Sequence, residues 1–524
     1  MNMDNEPYPG FKGMVQINEA KVTRAANAAA AKDAKRATKL AKKDPEDLSP
    51  EEFDEMQRNL SLTVAAATNS DSPAMMKWKK DMVAIGDDPI RDPGPAPHGD
   101  SGGPEGFIVM SNLMRYGDYD DKFLEEYGTA LVKEDKRVLE GAKQLNGSGW
   151  GTTSTVNHLG NDEGNDPLTG YMKALANSPD AATKFFTAKQ KGDDGKAESN
   201  FKYLFEERKW PDDSMPGKES VTGRNSMGHA LEAATTGHRP GEPATAENVK
   251  HSKEQAGLFS ALVNSVSEDQ DRLRRHEYMS DSFANISAEY MPDLNRSLDS
   301  DIKNRDKLFP TSGTAAEIDK YDAVRFLHTV ARNNEGYDTL NVSQHVYAAA
   351  LMEQQHNHPN AYPESTEKTI NKLSYGTGLF QGIIGASHHF QADKSDADEA
   401  ARGDAWKEHA STWGGSVVGS ATAVAMTPFT GPGGIVAGGL AGTAAGEVFN
   451  GILNGFGDDG EKQKEQVYQN VKEMDQVEHS AILTTQESAK AATGSEEAES
   501  EAGDEAGKGF RDATPLIEDS IAAQ

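Results

Sequence analysis

The chain contains no cysteine. Disulfides, thiolate zinc sites and cysteine nucleophiles are therefore excluded. Positive charge is also scarce. The 524 residues carry 54 Lys and Arg against 84 Asp and Glu, a net charge of −30. Phosphate binding needs a basic surface, so nucleic acid is not expected as a general partner. Hydrophobic residues make up 36% and aromatics 7%, low values that predict modest cores and long loops. The first residues, "MNMDNEPYPGFKG", lack a basic start followed by an apolar run, so no signal peptide is read. The expected location is the cytoplasm, or outside the cell by a signal-peptide-independent route.

Alternation of apolar and polar residues is also missing, whereas helical spacing recurs throughout. Ser49, Pro50 and Glu52 form a capping box ahead of Phe53, Met56 and Leu60. Phe123, Leu124, Tyr127 and Leu131 line one helix face, and Phe259, Leu262, Val263 and Val266 another. Phe283, Ile286 and Tyr290 mark a helix stopped by Pro292. Ala323, Phe326, Leu327 and Val330 mark the next, and Val342, Val346, Ala349 and Ala350 the one after. The expected fold is all-α: an irregular multi-helix bundle with long loops, a C-terminal glycine-rich hairpin and a disordered acidic tail. Five regions are expected: a polar N-terminus with a basic Ala-rich helix (1–45), a helical subdomain with a Pro/Gly loop (46–160), a main helical body (161–412), a small-residue hairpin (413–457), and a helix with the acidic tail (458–524). The tail assignment rests on residues 487–505, which hold seven acids against Lys490 and are rich in Ala, Ser and Gly.

Residues 414–446 are uncharged. "TPFTGPGG" splits them into halves too short for a simple membrane span, and the larger apolar side chains after Thr427 are only Phe429, Ile435, Val436 and Leu440. Gly434, Gly438, Gly442 and Gly446 recur every four residues, and Gly415 and Gly419 repeat that spacing. On helices such stripes let a partner backbone approach closely. The expected arrangement is a hairpin packed inside the helical body. Membrane contact is the disfavoured alternative.

Chemistry is sparse. Glu353, His356 and His358 form the best metal-like cluster, but no second cluster has ligand spacing. Asp162, Glu163 and Asp166 suggest calcium, yet the glycine and terminal Glu of an EF-hand are not at their positions. These residues read as structural, His328 as an interfacial histidine, and no phosphate loop or nucleophile elbow is present. No catalytic residue and no cofactor are expected.

The segments "SPEEFDEMQRNL", "FLEEYGTALV", "DPLTGYMKALANSPDAATKFF", "YLFEERKWPDD", "SMGHALEAATTGHRPGEP" and "RFLHTVARNNEGYDTLNVSQHVYAAAL" resemble, in this order, a family of large helical proteins from streptomycetes and other actinobacteria. The resemblance spans about residues 46–455. Such proteins look like the body of WXG-type (ESX, or type VII-like) secretion substrates, in which a helical hairpin with a Trp-x-Gly turn precedes the body. That hairpin is not found here: Trp413-Gly414-Gly415 fits the letters but lies in the glycine-rich region. Tyr203 and Glu207 fit a Tyr-x-x-x-Asp/Glu export pattern within the body. The resemblance implies a non-enzymatic interaction or scaffold protein whose partner is a separate WXG-type protein or a second copy. A membrane-inserting toxin-like protein and a metal-dependent hydrolase are the alternatives.

Overall fold

The computed structural model describes residues 49–88, 105–145, 149–150, 157, 162–191, 197–210, 222–242, 244–245, 248–275, 277–299, 305–362, 364–392, 419–425, 444–454 and 474–524. The fold is all-α; among the described residues the strands form a single two-stranded ribbon. The chain divides into two compact units, 1–234 and 235–524. That division falls within the stretch expected as one main body. The basic helix expected within 1–45 lies outside the described residues, as does the Pro/Gly loop expected at 86–106 apart from 86–88 and 105–106.

In the first unit, α1 (Pro50–Thr68) starts on the expected capping box: Ser49 Oγ accepts from Glu52 N at 3.3 Å and Glu52 Oε2 accepts from Ser49 N at 3.1 Å. It is followed by α2 (Pro73–Ala84), α3 (Gly106–Leu113), α4 (Asp121–Leu145), α5 (Pro167–Ala176) and α6 (Pro179–Thr187). Strands β1 (Lys189–Lys191) and β2 (Ala197–Ser199) pair antiparallel, with Lys189 opposite Ser199. A short helix then widens into a π turn at Tyr203–Glu207, and α7 (Thr222–Thr236) ends at Gly237, whose φ of 79° supplies the left-handed stop.

A run of contacting aromatic rings crosses this unit's core. Trp78 packs on Phe123 (ring centroids 5.8 Å apart), Phe123 on Tyr127 (5.9 Å), Tyr127 on Tyr171 (5.7 Å), and Tyr171 edge-on to Phe185 (5.1 Å). Clustering the large rings gives a low-aromatic chain one dense apolar centre. It joins α2, α4, α5 and α6.

The second unit contains α8 (Lys253–Glu268), α9 (Ser280–Glu289), α10 (Met291–Leu298), α11 (Lys320–Val330), α12 (Asn334–Asn357), α13 (Thr366–Ala392), α14 (Ala444–Asn454), α15 (Met474–Thr493) and α16 (Glu496–Ala522). Residues 419–425 are also helical. A helix expected over 246–276 is broken at Asp269, which is extended, so α8 ends one residue earlier. Pro292 ends α9 as expected and also opens α10 from within its first turn. Helix α12 is buried on nearly all sides, at the centre of the unit. It packs against α9, α13, α14 and α15.

The acidic tail is not disordered: α15 and α16 occupy it. The cause is periodicity within an acidic composition. Ala502, Ala506, Gly509, Phe510 and Ala513 recur at helical spacing and are buried, while the acids face outward. The opposing surface is α13, where a side chain at Gly378 would overlap the carbonyl of Ala506, and one at Gly509 would overlap that of Tyr375. Gly382 meets Phe510 and Ala513 in the same way. Backbones approach here to a distance only glycine permits, the packing expected for residues 414–446. Of that stripe, Gly419 and Gly446 are described and helical. Gly415, Gly434, Gly438 and Gly442, like Trp413, lie outside the described residues.

Candidate functional site

Each unit buries clusters of charged and polar side chains. In the first, a set of arginines and aspartates is buried. Arg208, just beyond the π turn, lies between Asp135 of α4 and Asp166, the residue that caps α5. Its Nη2 is 2.9 Å from Asp135 Oδ1 and 3.0 Å from Asp166 Oδ1. Trp150 Nε1 donates to Asp135 Oδ1 at 2.7 Å, and Tyr203 Oη donates to Asp135 Oδ2 at 2.7 Å. Burial opposes the charge on Asp135, but Arg208 outweighs it and holds this carboxyl below its ordinary range. Burial pushes Asp166 the other way, with Asp135 adding to the effect. Asp162 makes a two-pronged pair with buried Arg115, Nη1 to Oδ1 being 2.8 Å. Asp162 and Asp166, expected in a polar loop, are thus bound to different arginines. Tyr203 of the export-like pattern is buried with its hydroxyl committed to Asp135.

In the second unit, Glu289 ends α9 under nearly complete burial. Its Oε1 is 2.5 Å from His238 Nε2 and accepts from Ser420 Oγ at 3.1 Å; its Oε2 is 3.5 Å from His251 Nε2. Ser420 Oγ in turn accepts from Ala244 N at 3.3 Å. The His251 ring stacks on Tyr290, centroids 4.1 Å apart, and Phe259 of α8 stacks on the same tyrosine at 4.1 Å. Beside this cluster is a cavity of ≈ 10 Å³, room for about one water molecule. Glu289, His251, Asp293 and Ser312 are among its lining residues, and Ser312 Oγ is buried there with no hydrogen-bond partner. Burial opposes the charge on Glu289, yet His238 and His251 bring its carboxyl down to about 2. Burial raises Asp293 to about 6, against the pull of the Ala316 N–H it accepts from and of Arg296.

Glu353, His356 and His358 do not form a site together. Glu353 is half-buried and its Oε2 accepts from Ala444 N at 3.3 Å, at the start of α14. There its charge suits the positive end of the helix. His356 and His358 are exposed. Among the described residues no group of three or more His, Asp or Glu is placed to hold a metal ion, and no described helix is long and apolar enough to cross a membrane. His328 is partly buried, and that burial together with Arg332 lowers it to about 4.

Sequence reasoning singled out none of Arg208, Asp135, His238, His251, Glu289 or Ser420. One signal was present: Glu289 lies on the apolar face of α9, directly before Tyr290 and one turn after Ile286. A carboxylate on such a face needs a buried partner.

No curated protein and no solved structure matches the chain. Residues 115–519 match a family of unknown function, DUF6571. That span is well over half of the sequence, and the chain belongs to this family.

Proposed function

We propose that the chain is a non-enzymatic helical interaction or scaffold protein, working with an actinobacterial type VII-like secretion system or at the cell envelope. The observation that carries this reading is how the Glu289 cluster is used. Its serine and two histidines converge on one carboxylate, and the bonds tie residues 238–251, α9 and residues 419–425 into one body. The adjoining cavity has room for about one water, far short of the several hundred Å³ typical of a small-molecule site. The described ends of the glycine-rich stretch support the packed-hairpin reading over the membrane one. Ala421, Ala423 and Ala425, and Ala444, Ala445 and Val448, are buried in the second unit.

The proposed partner is a WXG-type helical-hairpin protein or a second copy of the chain. Sedimentation velocity of the full chain, alone and mixed with a WXG-type helical-hairpin protein, tests this. A defined hetero-complex or oligomer supports the scaffold reading. A monomer in every mixture that floats with anionic liposomes at pH 5 overturns it and favours the membrane-inserting alternative.

A further inference from the structure

The hydrogen bonds around His238 leave few places for protons. Its Nδ1 is 3.0 Å from the Arg239 carbonyl oxygen, which can only accept. Its Nε2 is 2.5 Å from Glu289 Oε1. A neutral imidazole has one N–H, so it could serve only one of these acceptors. Either the ring carries two protons or Glu289 carries one. Ser420 decides between them. Its oxygen already accepts from Ala244 N, and its own proton goes to the same Oε1. That oxygen is therefore used as an acceptor twice, the role of a carboxylate rather than of a carboxylic O–H.

We propose that His238 is an imidazolium in the folded chain and acts as a proton-operated latch, keeping Glu289 ionised so that Ser420 and the helical segment 419–425 stay docked on it. Among the described residues the titratable and charged groups around the pair include His251, 3.5 Å from the other carboxylate oxygen, Tyr290 stacked on His251, Asp293 one turn along the chain, Arg296 paired with Asp293 at 3.5 Å, and Arg239, whose guanidinium is 3.9 Å from Glu242. The low value reached by Glu289 agrees with a cation beside it. Loss of the His238 proton leaves one acceptor facing a lone pair, either the Arg239 carbonyl or the carboxylate. In the second case Glu289 is a buried charge without its closest counter-ion, and undocking of the segment that carries Ser420 is what lets water reach it. Alkaline pH then frees residues 419–425, the described first part of the glycine-rich stretch.

The test uses the full chain labelled with ¹⁵N-histidine. Long-range ¹H–¹⁵N spectra at pH 7.5, assigned with His238→Gln, should show both His238 ring nitrogens protonated. Hydrogen exchange, corrected for the intrinsic pH dependence, should then rise about tenfold or more in residues 419–425 when His238 titrates, with no such rise in α11. In His238→Gln the step should vanish. A neutral single-tautomer ring at pH 7.5 overturns the proposal, whether or not the variant folds. So does a doubly protonated ring whose titration leaves exchange at 419–425 unchanged.

Discussion

The two units bury ionisable groups in opposite states. In the first they are buried as ions: Arg208 with Asp135 and Asp166, and Arg115 with Asp162, each bound by two or more charge-assisted hydrogen bonds. In the second, burial pushes several of them toward their neutral forms. Burial raises Asp299 to about 7 and Asp293 to about 6, and lowers His345 to about 3. Asp299 Oδ2 and His345 Nδ1 have no hydrogen-bond partner. The Glu289 cluster is the exception. Arginine cannot lose its proton in this setting, and Asp135 and Asp162 are held below the ordinary carboxyl range, so these pairs resist acid; Asp166, raised by burial, is the first point at which protons can enter the network. Aspartic acid and histidine can change state, so the second unit can be moved by protons.

The largest effect is expected where an ion pair is broken from one side. Arg208→Met leaves Asp135 and Asp166 buried without a cation, and one-sided removal from such a pair costs about 3–5 kcal/mol. Denaturant unfolding followed by hydrogen exchange should show α4 and α5 losing protection while α12 and α13 keep theirs. Equal loss in both units would break the contrast. Asp299→Asn comes next and should act with the opposite sign. The folded value of Asp299 lies above the ordinary carboxyl value. The stability linked to it is therefore complete below about pH 4 and lost as pH rises through about 7. Removing the charge should spare that loss, on the order of 4 kcal/mol at pH 8, measured as a shift in the urea midpoint at pH 8 against pH 4.

A steric change should have a smaller effect. Gly378→Val drives a side chain into the Ala506 carbonyl, and overpacking of this kind costs roughly 1–3 kcal/mol. Limited proteolysis should then cut α16 first. Resistance equal to wild type would mean that α16 does not depend on this contact. The smallest effect is expected at exposed His356. Replacing it by Ala should move stability by no more than about 0.5 kcal/mol, as read by thermal unfolding.

The all-α class was legible in the sequence, because helical spacing, the capping box at Ser49 and the Gly237 stop are local signals. The tail was misread because a rule of composition was applied where periodicity decides. Residues 487–505 look disordered by their acids and small residues, yet the helix they enter packs Ala506 against Gly378, and Phe510 and Ala513 against Gly382, more than a hundred residues earlier. Close glycine packing was foreseen as a mechanism; the described instance is on α13 and α16. The Glu289 cluster was not legible for a related reason. Its partners lie 51, 38 and 131 residues from it, and no local spacing links a serine in a bland segment to a distant carboxylate. Glu353 and His356 illustrate the converse. They are one turn apart on α12, yet one caps α14 and the other faces solvent.

The contrast in buried charge is tested most directly by hydrogen exchange of Asp299→Asn and His345→Leu, each against wild type at pH 5 and pH 8. His345 lies below its ordinary value when folded, so the stability linked to it is present above about pH 6.5 and lost as pH falls. The aspartate and histidine terms therefore oppose each other in the wild-type second unit. Asp299→Asn should make that unit relatively more stable at pH 8 than at pH 5, and His345→Leu relatively more stable at pH 5 than at pH 8, with α4 and α5 of the first unit unmoved by either. Shifts of the same sign in both variants, or equal shifts in both units, would contradict the assignment of neutral burial to the second unit.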